Sequence, residues 1–416
     1  MENTPRSLRP QIVLVGKTNV GKSSLINALT NQVVSLVAEE PGTTTDPVTK
    51  AMELLPFGPV NLVDTAGYED KSHLGLDRQK LSDERLITAD LILLVVDGSQ
   101  VLDSWEKDFV KKLKGLSSGI IGVINKVDFD DFHNTVESNV YSNTVDMYQE
   151  FFAKENIPFI AVSSSSRRGI PDLKSLIIKN LPERCFSQGM LEGLIKQGDL
   201  VVLVTPIDDS APKGRIILPQ VQILREVLDY QGLALVLQTE ELPKAFQVLK
   251  ARPKLVITDS QAFKRVSELV PEEIPLTSFS LILANFKGDI EMSLKGLKKL
   301  EELPNGSKVL IAEGCTHHRQ KQDIAQIQIP ELIHKHKNKQ FEYTWTSGGS
   351  FPKELSEYSL IIHCGGCMLT KREMLARISL AGNKDIPVIN FGFLLANLHG
   401  VLDRAIKPLI RVLGED

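Results

Sequence analysis

Two groups of residues carry the chemistry of this chain. The first is Gly16-Lys-Thr-Asn-Val-Gly21-Lys22-Ser23, which fits the phosphate-loop pattern GxxxxGK[ST]. Its glycines let backbone amides wrap an anion, Lys22 reaches toward β- and γ-phosphates, and Ser23 offers a hydroxyl to Mg²⁺. Ser24 follows as a further nucleotide contact. The second group is Cys315-Thr-His317 and His363-Cys364-Gly-Gly-Cys367, a CxHx45HCxxC spacing. Three of the four cysteines in 416 residues lie in this group, which argues against a disulfide framework. Soft thiolates beside imidazoles favour zinc or an iron–sulfur cluster over hard cations.

More nucleotide motifs follow in order. Pro41-Gly-Thr-Thr-Thr-Asp46 has the form of switch I, with Thr44 as a second Mg²⁺ ligand. Asp64-Thr-Ala-Gly67 ends an apolar run; Asp64 would hold Mg²⁺ through water, and the Gly67 amide would sense the γ-phosphate. In Asn125-Lys126-Val-Asp128 the Asp128 carboxylate can accept two bonds from guanine N1 and N2, which adenine cannot supply. A backbone amide at Ser163-Ser164 would meet guanine O6. Together these specify a GTPase, with Lys22, Thr44, Asp64 and Gly67 at the reacting phosphate. Tyr68 stands where a water-orienting Gln is usual, so unaided hydrolysis should be slow. Glu69 and Asp70 read as solvated switch charges.

The thiol set admits two metals. Three thiolates and one imidazole make a closed tetrahedral zinc site. A cluster on three thiolates leaves one iron for another ligand, for which His317, His318 and His363 are candidates. His334 and His336 sit in the basic stretch HKHKNK and read as solvated.

The elements that must position these groups are legible. Gln11–Val15 is a strand feeding the phosphate loop and an amphipathic helix. Further apolar strands are expected at 60–64, 91–96, 121–124 and 159–162, in an α/β, doubly covered parallel arrangement. Strands at 200–204, 233–237 and 254–258, with helices at 220–228 and 240–249, suggest a small α/β unit suited to dimerisation. Its loop charges Asp208, Asp209, Lys213 and Arg215 read as surface or interface groups, and Cys185 as a bystander thiol. Strands at 308–312, 359–362 and 387–390 place both cysteine motifs just beyond strand C-termini, where open parallel sheets bind ligands. A helix following Cys367, over 369–381, would lower that thiol's pKa. The expected domains are therefore 8–182 (GTPase), 183–262 (dimerisation) and 263–416 (thiol-bearing α/β).

Composition is that of an ordinary globular chain, 42% hydrophobic and 24% charged, with net charge −4. That balance offers no polyanion-binding surface, so no nucleic-acid partner is expected and a tRNA-modifying GTPase is disfavoured. No apolar run reaches the roughly 18 residues of a membrane helix. The polar first ten residues argue against a secretory signal, so a cytoplasmic location is expected. A ribosome-assembly or signalling switch with a structural zinc domain is the remaining alternative.

The phosphate-loop domain resembles the TrmE-like GTPases, in which an Asn at the position of Asn19 ligates a K⁺ that replaces an arginine finger. That resemblance implies K⁺-stimulated hydrolysis. With the middle unit and the CxHx45HCxxC motif attached, the whole chain resembles the HydF family of FeFe-hydrogenase maturation GTPases. The resemblance implies a 4Fe–4S cluster on Cys315, Cys364 and Cys367, with His317 and His363 at the family's histidine positions. Glu313 and Asp323 are nearby carboxylates that could serve as an exchangeable ligand. It implies a homodimer formed through the middle domain. It also implies a carrier of a transient diiron cargo, received from the radical-SAM maturases HydE and HydG and delivered to apo FeFe-hydrogenase.

Overall fold

The computed structural model describes residues 5–30, 49–68, 73–116, 118–127, 136–182, 185, 189–207, 216–288, 290–314, 324–348, 351–352 and 354–413. It divides into two compact units, Met1–Ser187 and Gln188–Asp416.

The first unit runs β1 (Gln11–Val15), α1 (Lys22–Thr30), β2 (Thr49–Leu54), β3 (Gly58–Asp64), α2 (His73–Thr88), β4 (Leu91–Asp97), α3 (Ser104–Lys114), β5 (Gly119–Asn125), α4 (Val136–Lys154), β6 (Phe159–Ala161) and α5 (Ile170–Asn180). The sheet order is β2-β3-β1-β4-β5-β6. Only β2 is antiparallel to its neighbour, in register Met52 to Val60. The unbroken apolar run of β4 follows from burial on both faces. Leu91, Leu93 and Val95 pack with Leu25, Ile26 and Leu29 of α1 and Leu173 and Ile177 of α5. Ile92, Leu94 and Val96 pack on the opposite face with Phe109 of α3 and Tyr148 and Phe152 of α4. Cys185 is half-buried against the first of these cores.

The second unit holds two four-stranded parallel sheets around one shared core. Its first sheet is built from β7 (Leu200–Val204), α6 (Leu218–Asp229), β8 (Leu233–Leu237), α7 (Leu242–Val248), β9 (Leu255–Thr258), α8 (Phe263–Leu269), β10 (Leu276–Ser278) and α9 (Phe279–Lys287), in strand order β10-β9-β7-β8. The sequence reading had three strands here and ended the unit at 262. The fourth, β10, is only three residues long and gives no periodic signal; its register to Val256–Thr258 places it in this sheet. The second sheet follows with α10 (Ile290–Glu302), β11 (Lys308–Ala312), α11 (Ile329–Lys337), β12 (Glu342–Thr346), β13 (Leu360–His363), α12 (Lys371–Gly382), β14 (Val388–Asn390), α13 (Phe391–Leu398) and α14 (Leu402–Leu413), in order β12-β11-β13-β14. The chain is thus α/β throughout. Among the described residues no helix is long and apolar enough to cross a membrane.

Candidate functional site

The phosphate loop joins β1 to α1 as expected. Gly16 and Gly21 hold φ of +153° and +92°. A Cβ on Gly21 would lie 2.3 Å from Asn125 Nδ2, so only glycine fits. Lys22 Nζ lies inside the loop, donating to Gly16 O (3.1 Å) and Lys17 O (2.8 Å). Burial lowers its pKa, against the pull of Asp64. Ser23 Oγ donates to Asp64 Oδ2 at 2.5 Å, which unites the two expected Mg²⁺ groups from β3 and α1. Burial holds Asp64 above the usual carboxylate range, opposed by that bond and by Lys22 and Lys50. Ser24 is exposed on α1. Gly67 packs against the loop so closely that a Cβ would come 2.7 Å from Thr18 Cα. Asn19 is exposed with φ +64°, a left-handed conformation that Asn tolerates better than most residues. Thr44 and Asp128, with Glu69 and Asp70, lie outside the described residues.

The base-side loops are braced by contacts invisible in the motifs. Asn125 is fully buried; its Nδ2 donates to Val20 O at 2.9 Å and its Oδ1 accepts from Ser164 N–H at 3.2 Å. Lys126, at φ +62°, forms an ion pair with Asp97 at 2.7 Å. Ser163 N–H donates to Arg168 O at 3.0 Å, and Ser163 Oγ accepts from Ser166 N–H at 3.1 Å. The amides of both expected O6-facing serines are thus directed at the protein's own loops. Tyr68 is buried, its ring 4.7 Å from that of Phe109 and 5.9 Å from that of Trp105, and its hydroxyl donates to Asp83 at 2.8 Å. It is a packing residue, consistent with the absence of a water-orienting side chain.

The strands that lead into the two thiol motifs are neighbours. β11 and β13 are parallel neighbours, with Ala312 opposite His363. Gly314 N–H donates to Cys364 Sγ at 3.0 Å. Gly314 immediately precedes Cys315, so chain segments fifty residues apart meet at this sulfur. Gly366 N–H also donates to Cys364 Sγ, at 3.3 Å, and Gly366 holds φ +58°. Two N–H···S bonds and partial exposure suit a thiolate ligand, as either zinc or an iron–sulfur cluster would require. Cys315, His317, His318 and Asp323 lie outside the described residues. Among those described, no group of three His, Cys, Asp or Glu gathers to hold a metal. Glu313 is half-buried just after β11, and His334 and His336 are exposed on α11.

His363 does not have the freedom expected of a fourth ligand. It is 1% exposed, with Nδ1 2.8 Å from Cys364 O and Nε2 3.1 Å from Arg377 Nη1. A carbonyl only accepts and a guanidinium only donates, so the proton sits on Nδ1 and the Nε2 lone pair is taken. Arg377 is held in turn by Gly348 O at 2.6 Å and by the Phe351 ring. The helix expected after Cys367 starts at Lys371, capped by Thr370. The Thr370 side chain takes the first-turn N–H of Glu373, so the helix end is closed by its own cap. The cation beside the cysteines comes from elsewhere. Lys287, the last residue of α9, donates to Gly366 O (3.0 Å) and Leu369 O (2.8 Å). Its one sequence signal is a lysine closing a largely apolar helix, FSLILANFK.

Comparison with known proteins gives three family-model matches. Residues 11–126 match a 50S ribosome-binding GTPase model, 190–288 a hydrogen maturase F dimerization domain, and 291–408 a hydrogen maturase F tetramerization domain. The last adds tetramerisation to a region expected only to bind a cluster. Over 174 residues the chain is 33% identical to GTPase Der of a Nitratiruptor species, covering 42% of this chain and 35% of that protein. Over 180 residues it is 33% identical to the mitochondrial tRNA modification GTPase MSS1 of Saccharomyces cerevisiae, covering 41% and 32%. The chain thus spans about a third of the length of these curated relatives. Among solved structures, Aquifex aeolicus Era bound to GDP·AlF4⁻ is 20% identical over 58% of this chain and 98% of that one, with a TM-score of 0.35.

Proposed function

Because this chain belongs to the hydrogen maturase F family, we propose that it is a GTP-hydrolysing scaffold that holds the diiron precursor of FeFe-hydrogenase and delivers it to the apo-enzyme. HydE and HydG are the proposed suppliers of that cargo. The observation that carries the cluster half of this reading is Cys364 Sγ, which takes N–H bonds from Gly366 in its own motif and from Gly314 next to Cys315. Cys315, Cys364 and Cys367 would hold a 4Fe–4S cluster, which supplies a site for docking an iron cargo. With both ring nitrogens of His363 engaged, the remaining ligand would come from His317, a nearby carboxylate such as Glu313, or the cargo itself.

The nucleotide half rests on the loop geometry. On binding GTP, the Lys22 ammonium exchanges Gly16 O and Lys17 O for β/γ-phosphate oxygens. Ser23, Thr44 and Asp64 place Mg²⁺, Gly67 donates its N–H toward the γ-phosphate, and Asp128 selects guanine. Asn19 is the proposed K⁺ ligand. With Tyr68 buried, hydrolysis is slow without K⁺. The homodimer would form at the open edge of β8, whose other edge pairs with β7. Leu233 and Val236 there are 62% and 39% exposed, and an apolar edge strand of this kind needs a cover.

The deciding experiment is EPR of anaerobically reconstituted, dithionite-reduced protein beside Cys315→Ala, with metal and acid-labile sulfide analysis. A 4Fe–4S signal that weakens in the variant supports the reading. Stoichiometric zinc without sulfide would replace it with a GTPase switch carrying a structural zinc domain.

A further inference from the structure

Lys287 is fully buried, an uncommon place for a lysine ammonium. It takes part in no ion pair among the described residues, and both its bonds go to carbonyls that bracket Cys367. Gly366 is therefore held from two sides: its N–H donates to Cys364 Sγ and its C=O accepts from Lys287. The left-handed turn at Gly366 is fastened by Lys287 together with the Cys364 Sγ bond and the Leu369 N–H, which donates to Gly366 O at 3.0 Å. A buried ammonium bonded only to neutral carbonyls remains expensive unless negative charge lies close. The nearby groups that favour the charged lysine are the motif's sulfurs and Glu373 of α12: burial lowers its pKa, Cys367, Cys364 and Glu373 offset part of that fall, and the balance stands at about 8. The cation comes from α9, which starts at the middle sheet, whereas the thiols follow β11 and β13 of the other sheet.

We propose that Lys287 is the positioning residue of the Cys364–Cys367 turn and the resident positive charge of the cluster held there, setting its reduction potential. This rests on the cluster reading above. The physical argument is one of charge. Reduction adds an electron to an already anionic centre, and a fixed cation in a water-poor site favours the more negative state. Removing it makes reduction harder.

The test is an EPR-monitored redox titration of the reconstituted full-length protein as wild type, Lys287→Arg, Lys287→Gln and Lys287→Met, with iron and sulfide content and circular dichroism alongside. Lys287→Met should lower the reduction equilibrium constant at least tenfold, about 59 mV more negative for a one-electron couple. Lys287→Gln should shift in the same direction, and Lys287→Arg should stay near wild type. Should Lys287→Met lose its cluster or its fold, the Gln variant, which keeps a donor without charge, decides. A wild-type potential in every folded neutral variant overturns the inference while leaving the cluster in place. Absence of any cluster in the wild type overturns the cluster reading itself.

Discussion

At the scale of single residues, two positions beside the phosphate loop have reasons to be what they are that come from the fold. Asn19 sits at φ +64°, so its residue type is favoured by the backbone before any ion is considered. Asn19→Gly keeps that conformation and removes the amide. If Asn19 ligates K⁺, the variant should bind GTP normally and lose its K⁺ stimulation; a variant still stimulated by KCl over NaCl as strongly as the wild type in steady-state assays would assign Asn19 to backbone geometry alone. Tyr68 gives the converse case. Installing the missing Gln should not speed hydrolysis, because the site lies against Phe109 and Trp105 and not in solvent. Tyr68→Gln should instead destabilise the first unit by about 2–4 kcal/mol through lost ring packing and the lost bond to Asp83. A faster GTP turnover in that variant would contradict this placement.

At the scale of elements, α3 links the phosphate loop to the sheet. Asp103 caps it, accepting from Trp105 N–H at 2.8 Å and Glu106 N–H at 3.4 Å, while Glu106 returns a bond to Asp103 N–H at 3.2 Å. Both carboxylates also hold Lys17, at 2.6 Å and 3.0 Å. Asp103→Ala therefore removes a cap and unlatches a phosphate-loop residue together. We expect a loss of about 1–2 kcal/mol in the first unit's urea transition, with weaker GTP binding by calorimetry. The open edge of β8 is the other element-scale feature. Val236→Lys should raise the dimer dissociation constant more than tenfold in sedimentation, since a lysine on an edge strand opposes pairing with a second copy. An unchanged constant would place the dimer contact elsewhere.

At the scale of the molecule, the phosphate loop and the cysteines Cys364 and Cys367 occupy separate compact units of one chain. The proposed coupling needs a ligand that distinguishes two states; the γ-phosphate, which Gly67 and the switch residues are proposed to read, would be that ligand. GTP-loaded and GDP-loaded protein should differ in affinity for apo-hydrogenase by about fivefold or more, the lower range of allosteric coupling. Equal affinities in titration calorimetry would remove the gating role and leave a scaffold with an independent GTPase domain.

Much of the fold was legible from the chain alone, for local reasons. A strand, a glycine loop and a helix N-terminus are consecutive in sequence, so the phosphate site is written where it forms. Continuous apolar runs such as Leu91–Val96 mark strands covered on both faces. The CxHx45HCxxC spacing marked the thiols, and strands ending at each motif placed them on one sheet edge. What local sequence could not decide depended on partners far along the chain. The saturation of His363 required Arg377, fourteen residues on and brought back by α12. The bracing of Asn125 required Val20, on the far side of the sheet's connections. The cation of the cysteine turn required α9, nearly eighty residues before its targets. Motifs record the groups that perform chemistry; the groups that hold and charge them are selected by packing, which only the tertiary structure brings together.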